Sequence, residues 1–76
     1  MNQIEIITKW KGYNIVTGSL YKITNNSVQV RRFSSHPSKI IIVPISEIEL
    51  IFVYREDGKK KIDLEDLKKE QEIEKI

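Results

Sequence analysis

The sequence has no cysteine, one histidine (His36), three widely spaced glycines, and no acidic side chain between Glu5 and Glu47. Each shortage removes a class of function. Without cysteine there is neither a disulfide framework nor a thiolate metal site, which suits a reducing cytoplasm. One histidine without cysteine does not make a zinc centre, and Glu47, Glu49, Glu56 and Asp57 lack the spacing of a calcium loop. A nucleophilic triad built on His36 and the nearby Ser34, Ser35 or Ser38 has no neighbouring carboxylate in sequence to orient the ring. Gly12, Gly18 and Gly58 are too far apart to form a phosphate-cradling loop. A chain of 76 residues seldom holds the cleft that paired carboxylates need for glycoside chemistry. No apolar run reaches membrane-spanning length, and Met1-Asn2-Gln3 opens no signal peptide. The expectation is a cytoplasmic protein that is not an enzyme, with no cofactor, no metal, no small-molecule substrate and no membrane partner.

What is present is charge, unevenly spread. The net charge of +2 comes from 13 basic and 11 acidic residues. Residues 1–43 hold Lys9, Lys11, Lys22, Arg31, Arg32 and Lys39 against Glu5 alone, a balance of +5. Residues 44–58 sum to −3 and residues 59–76 to zero. Strands are poor in Asp and Glu on propensity grounds, which explains part of the pattern. An acid-free basic half is also what a surface that meets phosphate, or an acidic partner, requires. Lys9-Trp10-Lys11 followed by Tyr13 sets aromatic rings among cations, the arrangement by which small barrels stack bases. Trp10 shares a strand face with Ile4 and Ile6, however, and is assigned to the core. Arg31, Lys22 and Tyr21 are candidates for one wall of a basic face. Lys59-Lys60-Lys61, crowded by Asp57, Asp63, Glu65 and Asp66, reads as a solvated turn.

Apolar residues make up 39% of the chain and charged residues 32%, which suits one small globular domain. The period-two pattern predicts a strand carrying Ile4, Ile6, Thr8 and Trp10 on one face. Gly12-Tyr13-Asn14 marks a turn. A long strand follows from Ile15 to Ile23, with Val16, Gly18 and Leu20 on one face and a bulge or bend expected at Gly18. Thr24-Asn25-Asn26-Ser27 is a second turn, leading to a strand through Val28 and Val30, with Arg31 and Arg32 on opposite faces. Ser34 to Ser38 is expected to be a polar loop. Ile40 to Val43, apolar on both faces, predicts a central or interface strand. After Pro44-Ile45-Ser46 the alternation of Ile48, Leu50 and Phe52 favours a strand over a helical turn. Asp63 is placed to cap a helix starting at Leu64, which docks by its first turn. Five short strands joined by tight turns predict a small closed barrel, since closure removes exposed edges. The domain division is 1–58 for the barrel and 59–76 for a charged helical tail.

From Ile4 to Ile51 these elements resemble the Sm/LSm family of small SH3-like barrels. The resemblance rests on Lys11-Gly12, Gly18-Ser19-Leu20, Ile23, the turn Thr24 to Ser27, Val28-Gln29-Val30, and the run Ile42 to Ile51. It implies a five-stranded Sm-like barrel, oligomeric assembly and RNA binding, with Asn25, Asn26 and Ser27 as the pocket contributors. Thr24 stands where the family carries an acid, Pro44-Ile45 replaces its Arg-Gly, and the family's N-terminal helix is missing.

Two functions follow from the sequence. The first is nucleic-acid binding, RNA rather than DNA, through Lys9, Lys11, Lys22, Asn25, Asn26, Arg31, Arg32 and Lys39, in a homo-oligomer. The alternative is a protein-assembly module, such as a phage, viral or plasmid accessory protein or a ring-forming subunit, that uses strand edges and the Ile40–Val43 run without nucleic acid.

Overall fold

A computed structural model describes residues 3–32 and 38–74, with side chains through Glu70. Among the described residues, six antiparallel strands form one sheet, followed by a helix. The strands are β1 (Gln3–Thr8), β2 (Ile15–Ile23), β3 (Ser27–Arg32), β4 (Lys39–Pro44), β5 (Ile48–Arg55) and β6 (Gly58–Ile62). A 3₁₀ turn, Ile45–Glu47, joins β4 to β5, and α1 spans Leu64–Glu74. The spatial order is β4-β3-β2-β1-β5-β6. Except for Ser38, the expected polar loop and His36 lie outside the described residues.

The expectation of a closed five-stranded barrel is corrected on both counts. The sheet is open, because β4 and β6 stand at its two ends and do not pair. Closure would need β4 to reach the free side of β5, and β6 occupies that side from Ile51↔Ile62 to Arg55↔Gly58. The lysine run expected as a solvated turn is therefore the middle of a strand. Lys59, Lys60 and Lys61 lie opposite Tyr54, Val53 and Phe52. Three consecutive lysines give no apolar alternation, so β6 forms from its hairpin turn and its ladder to β5.

One face of the curled sheet encloses the core. Ile4, Ile6, Val16, Val28, Val30, Val43, Ile51, Val53 and Leu67 are buried, with Trp10, Leu20, Ile23, Ile41, Ile48, Ile62 and Leu64 packed around them. The strand expected to reach Trp10 ends at Thr8, yet Trp10, half-buried in the loop that follows, packs at the core margin and is not a free stacking surface. The ladder of β1 with β5 skips Glu49, pairing Ile7 with Leu50 and Thr8 with Ile48. The skip reverses the phase of β5, so Ile51 and Val53 point inward while Leu50 is exposed, against the simple alternation of Ile48, Leu50 and Phe52.

In β2 a bulge falls at Tyr21, between the pairs Leu20↔Val30 and Lys22↔Gln29. Gly18 lies two positions from Leu20 with φ +155°, and a Cβ there would stand 2.3 Å from the Arg31 carbonyl oxygen. The strand can pass β3 that closely only as glycine.

Helix α1 starts as the sequence indicates. The Asp66 backbone N–H donates to Asp63 Oδ1 at 2.9 Å, an N-cap bond. Leu67 is fully buried beneath the helix and Leu64 packs beside it, while Arg55 of β5 pairs with Glu70.

Candidate nucleic-acid interface

The loop joining β1 to β2, Lys9 to Asn14, is held at its base by Thr8. The Thr8 backbone N–H donates to the Asn14 carbonyl at 2.8 Å, and the Thr8 hydroxyl donates to the same oxygen at 3.3 Å. That hydroxyl also accepts from the Trp10 N–H at 3.2 Å. With the loop's neck fixed, Lys9, Lys11 and Tyr13 project as exposed side chains, Tyr13 at 58% exposure. Gly12 at φ +82° makes the bend that separates Lys11 from Tyr13.

Two contacts extend this loop into an arc. On one side the Arg32 guanidinium lies over the Tyr13 ring, 5.5 Å from its centroid. Arg32 is in turn the ladder partner of Lys39, so both strand ends bring their cations to the Tyr13 side. On the other side the Lys9 N–H donates to the Glu47 carbonyl at 2.9 Å, and the Ile45 N–H donates to the Asn26 carbonyl at 2.8 Å. The 3₁₀ turn Ile45–Glu47 therefore bridges the two loops, and three residues at a rise of about 2 Å, with a hydrogen bond at each end, keep the Asn26 carbonyl within about 12 Å of the Lys9 nitrogen.

The turn bearing Asn25 and Asn26 is shaped by Thr24. Its hydroxyl accepts from the Asn26 N–H at 3.2 Å and the Ser27 N–H at 3.0 Å, and its own N–H donates to the Ser27 carbonyl at 2.9 Å. Where the resembled family carries an acid, a threonine hydroxyl thus receives the turn's backbone donors. Asn25 and Asn26 are exposed.

Six of the expected site residues fall on this arc: Asn25, Asn26, Lys9, Lys11, Arg32 and Lys39. Two do not. Arg31 and Lys22 lie on the sheet's outer face, opposite Ser19 and Gln29 respectively. The Arg31 guanidinium stacks over the Tyr21 ring at 4.7 Å, and its Nε is buried without a hydrogen-bond partner. Arg31 and Tyr21 do form one wall together, but that wall faces away from the arc. The pairing of Tyr13 with Arg32 has no signal in the sequence, because it joins a loop to the end of a strand two elements later.

Charge pairing divides the molecule. Among the described residues, no carboxylate pairs with Lys9, Lys11, Lys22, Arg31, Arg32 or Lys39, whereas Arg55, Lys59, Lys60 and Lys68 each pair with one. Glu5, the early acid, is engaged on the outer face. It accepts from the Tyr54 hydroxyl and from Lys59 Nζ, each at 3.1 Å. Partial burial, that hydrogen bond and the Glu5 charge hold the Tyr54 phenol above its ordinary 10.0, against the opposing pull of Lys59.

A cavity of about 280 Å³ lies elsewhere, lined by Ile45, Ile48, Leu50, Ile51, Ile62 and Leu64 with Glu49, Lys61 and Asp63. It includes none of the expected site residues, and it is smaller than most ligand pockets. No group of three or more metal-ligating side chains occurs among the described residues, and no described helix is long and apolar enough to cross a membrane.

The chain is a small antiparallel β protein with one C-terminal helix and a basic arc over one end of its sheet. Comparison with known protein families, curated proteins and solved structures finds no match.

Proposed function

We propose that this protein binds single-stranded nucleic acid, RNA in preference to DNA, as a self-associating cytoplasmic subunit. The single observation that supports this reading is the arc of unpaired cations. Lys9, Lys11, Arg32 and Lys39 lie along one end of the sheet with no carboxylate partner among the described residues, and the Tyr13 ring sits among them. Unpaired cations beside an exposed ring offer phosphate contacts and a stacking surface together. Asn25 and Asn26, one 3₁₀ turn away, add neutral donors and acceptors suited to base edges or a 2′-hydroxyl. The likeness to Sm/LSm barrels belongs to this proposal and accounts for the preference for RNA.

Fluorescence anisotropy with a labelled mixed-sequence RNA oligonucleotide tests it. Four neutralised phosphates on a single strand give a salt slope near −3, a loss of affinity of about 50-fold between 50 and 200 mM salt. Matched DNA binds more weakly. No change in anisotropy at low salt with excess protein overturns the reading.

A further inference from the structure

The sheet has two free edges of opposite character. On β6 the edge residues Lys59, Lys60 and Lys61 are all exposed, a common defence against pairing with other strands. On β4 the edge carries Ile40, Ile41, Ile42 and Val43 with no charge among them, and Ile42 and Ile40 are 57% and 38% exposed. Among the described residues, the only ladder β4 makes is to β3. A strand apolar on both faces ordinarily has neighbours on both sides, and this one has a neighbour on one side.

We infer that a second copy of this chain supplies the missing neighbour, the two β4 strands pairing antiparallel about a two-fold axis beside Ile41. This deepens the self-association proposed above by naming its edge, symmetry and register. An axis perpendicular to the sheet keeps outer face on outer face, so residues pair at even offsets. Centred on Ile41, it sets the exposed Ile40 against the second copy's Ile42, and the reverse. Centring on Ile42 would oppose Ile40 to proline, which lacks the N–H for a ladder bond. Centring on Ile40 would oppose Ile42 to Ser38 and waste the more exposed isoleucine.

Charge selects the same arrangement over a head-to-tail one. Pairing β4 with the β6 edge of the next copy would lay the isoleucines along the lysine row and leave further edges open to ring or filament growth. The isologous pair buries isoleucine against isoleucine and closes at two copies. It holds the two Lys39 residues about 14 Å apart along the strands, beyond the screening length of about 8 Å at physiological salt.

Sedimentation equilibrium of the whole chain tests this. The expected mass is twice the 8.9 kDa of the chain. Ile42→Lys, at an exposed position, gives a monomer with an unchanged far-UV circular dichroism spectrum. Lys61→Glu, on the other edge, leaves the dimer intact. Independently, an equal mixture of Ile40→Cys and isotope-labelled Ile42→Cys chains, oxidised mildly, yields mixed disulfide dimers in excess of either like pair. A wild-type monomer at sub-millimolar concentration, an assembly larger than two, or a dimer indifferent to Ile42→Lys overturns the inference. RNA titration reads the arc, which shares only Lys39 with this edge. A monomer that binds RNA removes this inference and the self-association it rests on while leaving the nucleic-acid reading, and a dimer that does not bind RNA removes the nucleic-acid reading alone.

Discussion

Gly18 shows how much can rest on one missing side chain. Its neighbourhood leaves no room for a Cβ, and the nearest obstacle is backbone, the Arg31 carbonyl, which cannot swing aside. Gly18→Ala is expected to cost at least about 2 kcal/mol, combining steric overlap with strain at a positive φ. A urea titration of the variant, compared with wild type, checks it. The position is legible in the sequence, since glycine amid apolar alternation marks a bend or a close approach. The register break itself is not, because it falls three residues later, at Tyr21. On the outer face, Tyr54 illustrates linkage. Its phenol ionises later in the folded chain than in the unfolded one, so the stability it contributes is present below pH 10 and is lost as pH rises through the raised value. Glu5→Gln removes the charge that opposes ionisation, and spectrophotometric titration of the phenolate band should show the Tyr54 phenol moving down toward its ordinary range.

Among the elements, α1 and β6 stand at opposite ends of legibility. The helix start can be read because capping is local: Asp63 needs only the N–H three residues ahead, and that bond forms. Asp63→Ala should cost about 1 kcal/mol, the usual loss for an N-cap, measured by thermal unfolding. Docking stabilises the helix more than its cap does. Leu67 is fully enclosed between helix and sheet, so Leu67→Ala should cost about 2–5 kcal/mol and broaden or abolish the unfolding transition. The strand β6 is invisible in the sequence for the converse reason. Lys59-Lys60-Lys61 has no preference that reads as strand, and its place is dictated by the ladder to β5 and by Lys59, which pairs with Glu5 and lies over the Phe52 ring. The phase of β5 is hidden likewise, since skipping Glu49 is a property of the β1–β5 pairing and not of either strand alone.

Across the molecule, curling and charge act together. The Lys9 loop and the Asn26 turn lie at opposite ends of β2, and the short Ile45–Glu47 turn, which joins two strands far apart in the sheet order, ties them by a hydrogen bond at each of its ends. The proposed binding surface is therefore a composite of segments from three parts of the chain, and its members should differ measurably. Lys11→Glu and Lys39→Glu, both on the arc and both exposed, are expected to weaken RNA binding roughly tenfold or more each and to flatten the salt slope by about one unit each. Lys22→Glu, on the outer face, should do much less. If anisotropy titrations find the three substitutions equivalent, the arc is not the binding surface.

Local features are written in the chain directly: the strand faces of Ile4, Ile6, Val16, Val28 and Val30, the turns at Gly12 and Thr24, the cap at Asp63, and a long stretch free of acids. They follow from side-chain period, backbone permission and capping chemistry, each of which acts within a few residues. Folding in three dimensions settles the rest. The sheet stays open, a lysine run becomes its sixth strand, Arg31 and Lys22 part company with the other early cations, and an isoleucine-rich strand is left at an edge. Those outcomes depend on which strand wins each edge, a competition between segments far apart in the chain that no short stretch records.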